Sequence, residues 1–147
     1  MELWQMDTVG GFLLADGRRA KALTGVDDHS RLCVSAYLVL RETAQRVCDG
    51  LALAMRTHGV PEEILTDNGK VFTGRFNKPP VEVLFDRVFA DLATAQAELD
   101  AWVAEYNTRR PHSSIGMVPP IERFSRRPQP TRVPYSTPDR TGPGTTG

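Results

Sequence analysis

The stretch that decides the fold is residues 32–66, L-C-V-S-A-Y-L-V-L-R-E-T-A-Q-R-V-C-D-G-L-A-L-A-M-R-T-H-G-V-P-E-E-I-L-T. Leu32 to Leu40 is almost wholly apolar and short, which predicts a buried strand. The period then changes. Ala44, Val47, Cys48, Leu51, Ala54 and Met55 fall on one helical stripe. Thr43 is a good N-cap, Gly59 stands where a C′ glycine belongs, and Pro61 forbids continuation. Gly50 within this helix costs about 1 kcal/mol relative to alanine, so the helix needs tertiary packing. Glu63 to Thr66 then predicts a short strand. Strand, helix, strand is a crossover unit, so this strand is expected to run parallel to an earlier one.

Upstream, Leu3 to Val9 alternates, with Trp4, Met6 and Thr8 on one face and Gln5, Asp7 and Val9 on the other. Gly10-Gly11 is expected to end or bulge this strand, with Phe12 to Ala15 continuing it. Asp16-Gly17 is a hairpin turn signal. A second strand is expected over about Ala20 to Val26, and a turn over Asp27 to Ser30. Three strands with short turns make an antiparallel meander. Downstream, Val81 to Phe85 reads as a helical turn or two. A second helix starts near Asp91, carries the stripe Leu92, Ala95, Leu99, Trp102, Val103 and Tyr106, and ends before Pro111. The last 20 residues hold five prolines and three glycines. That composition predicts a disordered tail over 128–147, after one domain spanning 1–127.

The 147 residues and 16.3 kDa suit one domain with a sizeable core. No apolar run is long enough to cross a bilayer or placed to be a signal peptide, so a cytoplasmic, nucleoid-associated location is expected. Cys33 and Cys48 form no metal-ligand spacing. Net charge is zero, yet the segment from Arg109 onward is net +5. A local nucleic-acid-binding patch is compatible with that imbalance, whereas a uniformly basic coat protein is not.

Two carboxylates stand out. Asp7 lies inside a strand, where aspartate is disfavoured and needs a solvent face, a partner or a metal. Asp67 closes the strand after the helix, in I-L-T-D-N-G (64–69); D-N-G alone is also an ordinary turn. Neighbouring strands can bring such residues together, and close carboxylates then require a divalent cation or a shared proton.

W-Q-M-D-T-V (4–9), T-G-V-D-D-H-S-R (24–31), T-H-G-V-P (57–61), I-L-T-D-N-G-K-V-F (64–72) and E-Y-N-T-R-R-P-H-S-S-I-G-M-V-P-P-I-E-R-F (105–124) occur in this order. Together they resemble the catalytic core of DDE-type transposases and retroviral integrases. The resemblance implies an α/β, ribonuclease H-like mixed sheet with flanking helices. It implies Mg²⁺ or Mn²⁺ on Asp7 and Asp67 as the first two acidic ligands. The implied reaction is phosphodiester cleavage followed by strand transfer. The implied partners are DNA (transposon ends and target), further copies of the chain, or intact transposase subunits. Lys70, Arg109 and Arg110 are the expected phosphate contacts.

The chain departs from the family after Arg87. By resemblance a fifth strand and the helix bearing the third acid, a glutamate, are missing there. Asp67 plus 35 is Trp102, a core-type residue. Glu98 and Glu105 fall on the following helix, and Glu122 in I-E-R-F (121–124) imitates the missing motif at a different place. Impaired catalysis is therefore expected. The alternative is a non-catalytic module that binds DNA or a transposase subunit. The family's usual N-terminal helix-turn-helix region is expected to be missing, with recognition of transposon ends coming from elsewhere. The Asp27–Arg31 hairpin reads as a surface turn, His29 and His58 as surface residues, and His112 as a packing residue.

Overall fold

The long first strand, β1 (Leu3–Leu14), organises the sheet. The computed structural model describes residues 3–66 and 87–124. The expected helical turn at 81–85 and the tail at 128–147 lie outside the described residues. β2 (Arg19–Asp27) pairs antiparallel with β1, and β3 (Cys33–Val39) pairs antiparallel with β2. The β1–β2 turn is closed by Gly17, whose φ of +83° suits a residue without a Cβ. Helix α1 (Ala44–His58) starts at Thr43, whose hydroxyl accepts from the Arg46 N–H, and stops at Gly59. The chain then returns as β4 (Glu63–Thr66), parallel to β1. The meander, the capped helix and the crossover thus match the sequence reading, and the sheet order is β3-β2-β1-β4.

The described residues also contain a two-residue strand, β5 (Val88–Phe89), just after the place where the family's usual fifth strand is expected to be missing. It runs parallel to the far end of β1, pairing Leu13 with Val88 and Leu14 with Phe89. Phe89 is fully enclosed and packs against Phe12 with ring centroids 6.3 Å apart. Two residues are too few to show a period, so only the tertiary contact reveals the strand. Helix α2 (Leu92–Arg109) follows, capped by the Asp91 carboxylate on the Thr94 N–H. A 3₁₀ turn (Ser113–Ile115) and a one-turn helix α3 (Pro120–Arg123) complete the described chain.

A bulge in β1 lets one strand serve two cores. The register with β2 slips between Gly10 and Phe12, and Gly11 adopts φ +137°. A one-residue slip exchanges the two faces of a strand. Trp4 and Met6 therefore face α1, with Leu23, Leu32, Val34 and Ala54. Phe12 and Leu14, still even-numbered, face α2 instead, with Ala20, Ala22, Leu38, Ala95 and Leu99.

Two contacts explain residues that looked unfavourable or neutral in sequence. Gly50 is where α1 touches the sheet. A Cβ there would come within 2.8 Å of Leu23 Cδ2 and 2.9 Å of Tyr37 Cδ1, so glycine permits the approach that gives the helix its packing. On the other face, α2 closes the outer edge of β3 with two amide side chains. Asn107 accepts from the Cys33 N–H at 2.8 Å and donates to the Cys33 carbonyl at 3.0 Å. Gln96 accepts from the Leu38 N–H at 2.8 Å and donates to the Ala36 carbonyl at 2.8 Å. These groups would otherwise form an open template for strand addition.

Candidate active site

Asp7 lies midway along β1 on the face opposite Trp4 and Met6, and it is exposed. Helix α2 packs on β3 and on the β5 end of the sheet, so among the described residues it does not cover this part of the face. The Asp7 Oδ1 accepts from the Thr8 N–H at 2.6 Å, while Oδ2 has no hydrogen bond among the described residues. The Asp7 backbone is fixed from the side: Thr24, its partner across the β1–β2 ladder, donates its hydroxyl to the Asp7 carbonyl at 3.1 Å. The parallel β1–β4 ladder runs from Leu3 with Glu63 to Met6 with Thr66. Its last described rung therefore lies one residue before Asp7 on one strand and one before Asp67 on the other. Asp67 and Lys70 themselves lie outside the described residues.

The remaining acidic candidates are engaged elsewhere or stand apart. Glu98 is paired with Arg87. Glu42 is paired with Lys21, whose hydrogen bond holds its carboxyl below the usual carboxylate range. Glu105 and Glu122 are exposed on α2 and α3. Among the described residues no three His, Cys, Asp or Glu side chains gather closely enough to hold a metal ion. Asp7, with one oxygen anchored and one open to solvent, suits a single carboxylate ligand of a largely hydrated Mg²⁺.

The hairpin between β2 and β3, beside the start of β1, differs from the expected surface turn. Asp27 and Ser30 are buried, and the Asp27 Oδ2 accepts from both the Ser30 N–H (3.0 Å) and hydroxyl (2.6 Å). Buried carboxylates need such partners, which is why this turn is an internal brace rather than a solvated loop. Asp28 accepts at one oxygen from Gln5 Nε2 (2.7 Å) and Arg31 (3.2 Å). His29 is exposed, as expected, but His58 is half-buried, its ring edge-on to Phe124 at 5.7 Å.

Arg109 and Arg110 are exposed at the end of α2. With Trp102, Glu105 and Tyr106 they outline a hollow of about 300 Å³. The Trp102 and Tyr106 rings stack at 5.1 Å, and His112 meets Tyr106 edge-on at 4.9 Å. The Tyr106 hydroxyl donates to the Arg31 carbonyl at 3.3 Å, so this block ties α2 to the hairpin between β2 and β3. Burial pushes the His112 pKa down, and the nearby Arg110 and Arg31 charges push it the same way. Asn107, whose two hydrogen bonds hold the start of β3, is the residue that sequence reasoning missed. The only signal was an asparagine on the apolar stripe of a helix.

Comparison with known proteins now defines the class. Residues 66–120 match the integrase core domain family. The chain is 31% identical, over 82% of its length, to an uncharacterized 31.7 kDa protein of insertion element IS407 from Burkholderia multivorans. It is 32% identical, again over 82%, to an uncharacterized 39.2 kDa protein of insertion element IS476 from Xanthomonas euvesicatoria. It spans 54% and 43% of those two proteins, about half their length. Its fold is that of the HTLV-2 integrase catalytic core domain, solved in complex with magnesium, at a TM-score of 0.55 and 16% identity. That match covers 84% of this chain and 94% of the other. A chain of the simian T-cell lymphotropic virus intasome matches at a TM-score of 0.59 and 16% identity, covering 97% and 60%. The chain is therefore an integrase-core homologue of insertion-element proteins, with the ribonuclease H-like mixed sheet that the resemblance implied. No helix among the described residues is long and apolar enough to cross a membrane.

Proposed function

We propose that this chain is the core of a DNA-integrating transposase in which Asp7 and Asp67 hold Mg²⁺ or Mn²⁺. The observation that carries the reading is the parallel register that ends at Met6 with Thr66. Covalent geometry keeps Asp67 one Cα step, about 3.8 Å, beyond Thr66. Asp7 is one step beyond the paired Met6, and at that last rung, Met6 with Thr66, the two strands lie about 4.8 Å apart. The bound ion supplies Lewis-acid activation of the attacking oxygen and stabilisation of the leaving one. The chain's own contribution is to anchor Asp7 through Thr8 and Thr24 and to keep that face of the sheet open to DNA. Lys70, Arg109 and Arg110 serve as phosphate contacts, and the chain works as a homo-oligomer or beside intact transposase subunits.

With two carboxylates, and no third acid gathered beside Asp7 among the described residues, one ion is held better than two, and strand transfer is weakened accordingly. The test is a calorimetric Mn²⁺ titration of the chain beside Asp7→Asn and Asp67→Asn variants, with circular dichroism to establish folding. Wild type is expected to bind and both variants to bind at least tenfold more weakly. A folded wild type that binds no better than the variants sinks the metal-site reading. The chain then remains a DNA- or subunit-binding module. Efficient metal-dependent joining of a 3′-hydroxyl end would instead overturn the predicted impairment.

A further inference from the structure

The metal-site reading leaves one buried carboxylate unused, that of Asp27. Asp27 is 1% exposed and Trp4 is fully buried. The two stand directly opposite each other on the β1–β2 ladder. Just outside them the Asp28 N–H donates to the Leu3 carbonyl at 3.0 Å, which makes Trp4 and Asp27 a non-hydrogen-bonded rung. At such a rung the Cα atoms are about 4.5 Å apart and both side chains project from one face. Here that face is the one under α1, where Trp4 packs with Leu32 and Ala54. Ser30 satisfies the Asp27 Oδ2 with its N–H and its hydroxyl. The other oxygen, Oδ1, is buried without a hydrogen-bond partner, and so is the Trp4 indole Nε1. Gln5 Oε1 and His112 Nε2 are in the same condition, but only Trp4 and Asp27 belong to residues paired with each other. One of these two atoms is a donor and the other an acceptor.

We infer that a single buried water molecule joins Trp4 to Asp27, accepting from Nε1–H and donating to Oδ1. The chemistry of the two atoms selects this occupant. A buried N–H and a buried carboxylate oxygen are each costly to leave unpaired. The two make no direct hydrogen bond, so the group between them must accept from one and donate to the other. A metal ion cannot accept from the indole, and an anion would be repelled by the carboxylate. Water does both, and two polar partners suffice to hold it in a protein interior. The link fastens the β2–β3 hairpin from the α1 face, as the Tyr106 hydroxyl on the Arg31 carbonyl fastens it from α2. Trp4 is on the strand that carries Asp7, so the water braces the start of that strand against its neighbour. The inference does not depend on the proposed DNA-integrating function.

The test is a water-selective NMR measurement on the ¹⁵N-labelled full chain. Its two tryptophans are Trp4 and Trp102, so W102F assigns the remaining indole signal to Trp4. The Trp4 indole N–H is expected to show a through-space cross-peak at the water frequency, with the sign of a long-lived bound water. D27L is close to aspartate in size and carries no acceptor, so it should lose this cross-peak. A folded wild type without the cross-peak overturns the inference, since Trp4 is then simply dry. A cross-peak of unchanged intensity in folded D27L overturns it too, because the water is then held by another group. If D27L does not fold, a high-resolution crystal structure of the wild type decides the matter. A water within hydrogen-bond distance of both Nε1 and Oδ1 supports the inference. A direct contact between the two atoms, or no water between them, overturns it.

Discussion

Asn107 shows how much one amide can do when it replaces a strand. Both of its hydrogen bonds go to Cys33, and all four groups are buried. Truncation leaves a backbone N–H and a carbonyl without partners at about 1–3 kcal/mol each, less what water recovers. Asn107→Ala is therefore expected to lose about 2–4 kcal/mol in urea unfolding. Thr108→Ala, one residue later and exposed, should change stability by less than about 0.5 kcal/mol. Equal losses in the two variants would mean that the amide is incidental. Asp7 presents the reverse case. Its hydrogen bonds fix the backbone and one carboxylate oxygen, and the other has no hydrogen bond among the described residues, which is compatible with the proposed metal site.

Among the elements, α1 separates local preference from tertiary demand. Helix propensity alone predicts that Gly50→Ala stabilises by about 1 kcal/mol. The contact with Leu23 and Tyr37 predicts the opposite sign, because overpacking a close helix–sheet approach costs about 1–3 kcal/mol. Gly50→Ala should lower the melting temperature and Gly50→Val should lower it further; a stabilised Gly50→Ala would show that the sheet yields easily. The same contrast explains what was legible in the sequence. The meander, the Thr43 cap, the α2 stripe and the parallel return of β4 were readable because turn residues and periods are local signals. β5 was not, since two residues carry no period, and the Asp27–Ser30 brace was not, since a turn sequence looks the same buried or exposed. Asp7 was legible as an aspartate out of place in a strand, whereas the edge-closing role of Gln96 and Asn107 depends on a strand far away in sequence.

For the whole molecule, pH is a probe of how firmly the end of α2 is docked. His112 lies against Tyr106, half-buried between that ring and the loop it opens, and it faces Arg110 and Arg31. Burial and those two positive charges lower its folded pKa below the ordinary 6.5, so the unfolded chain binds the proton more readily. The resulting stability is present above about pH 6.5 and is lost as pH falls through the lower folded value. Wild type should therefore lose melting temperature between neutral and mildly acidic pH, and His112→Gln should lose less. Parallel profiles would show that His112 titrates as freely in the fold as out of it. The pairing of β1 has a consequence for how this scaffold changes over evolution. On the side away from β2, β4 holds Leu3 to Met6 and β5 holds Leu13 and Leu14, each through its own contacts. Insertions and deletions in the chain between these two anchors can accumulate without unfastening either one, so a gene can gain or lose sequence there while keeping the hydrophobic framework that presents Asp7.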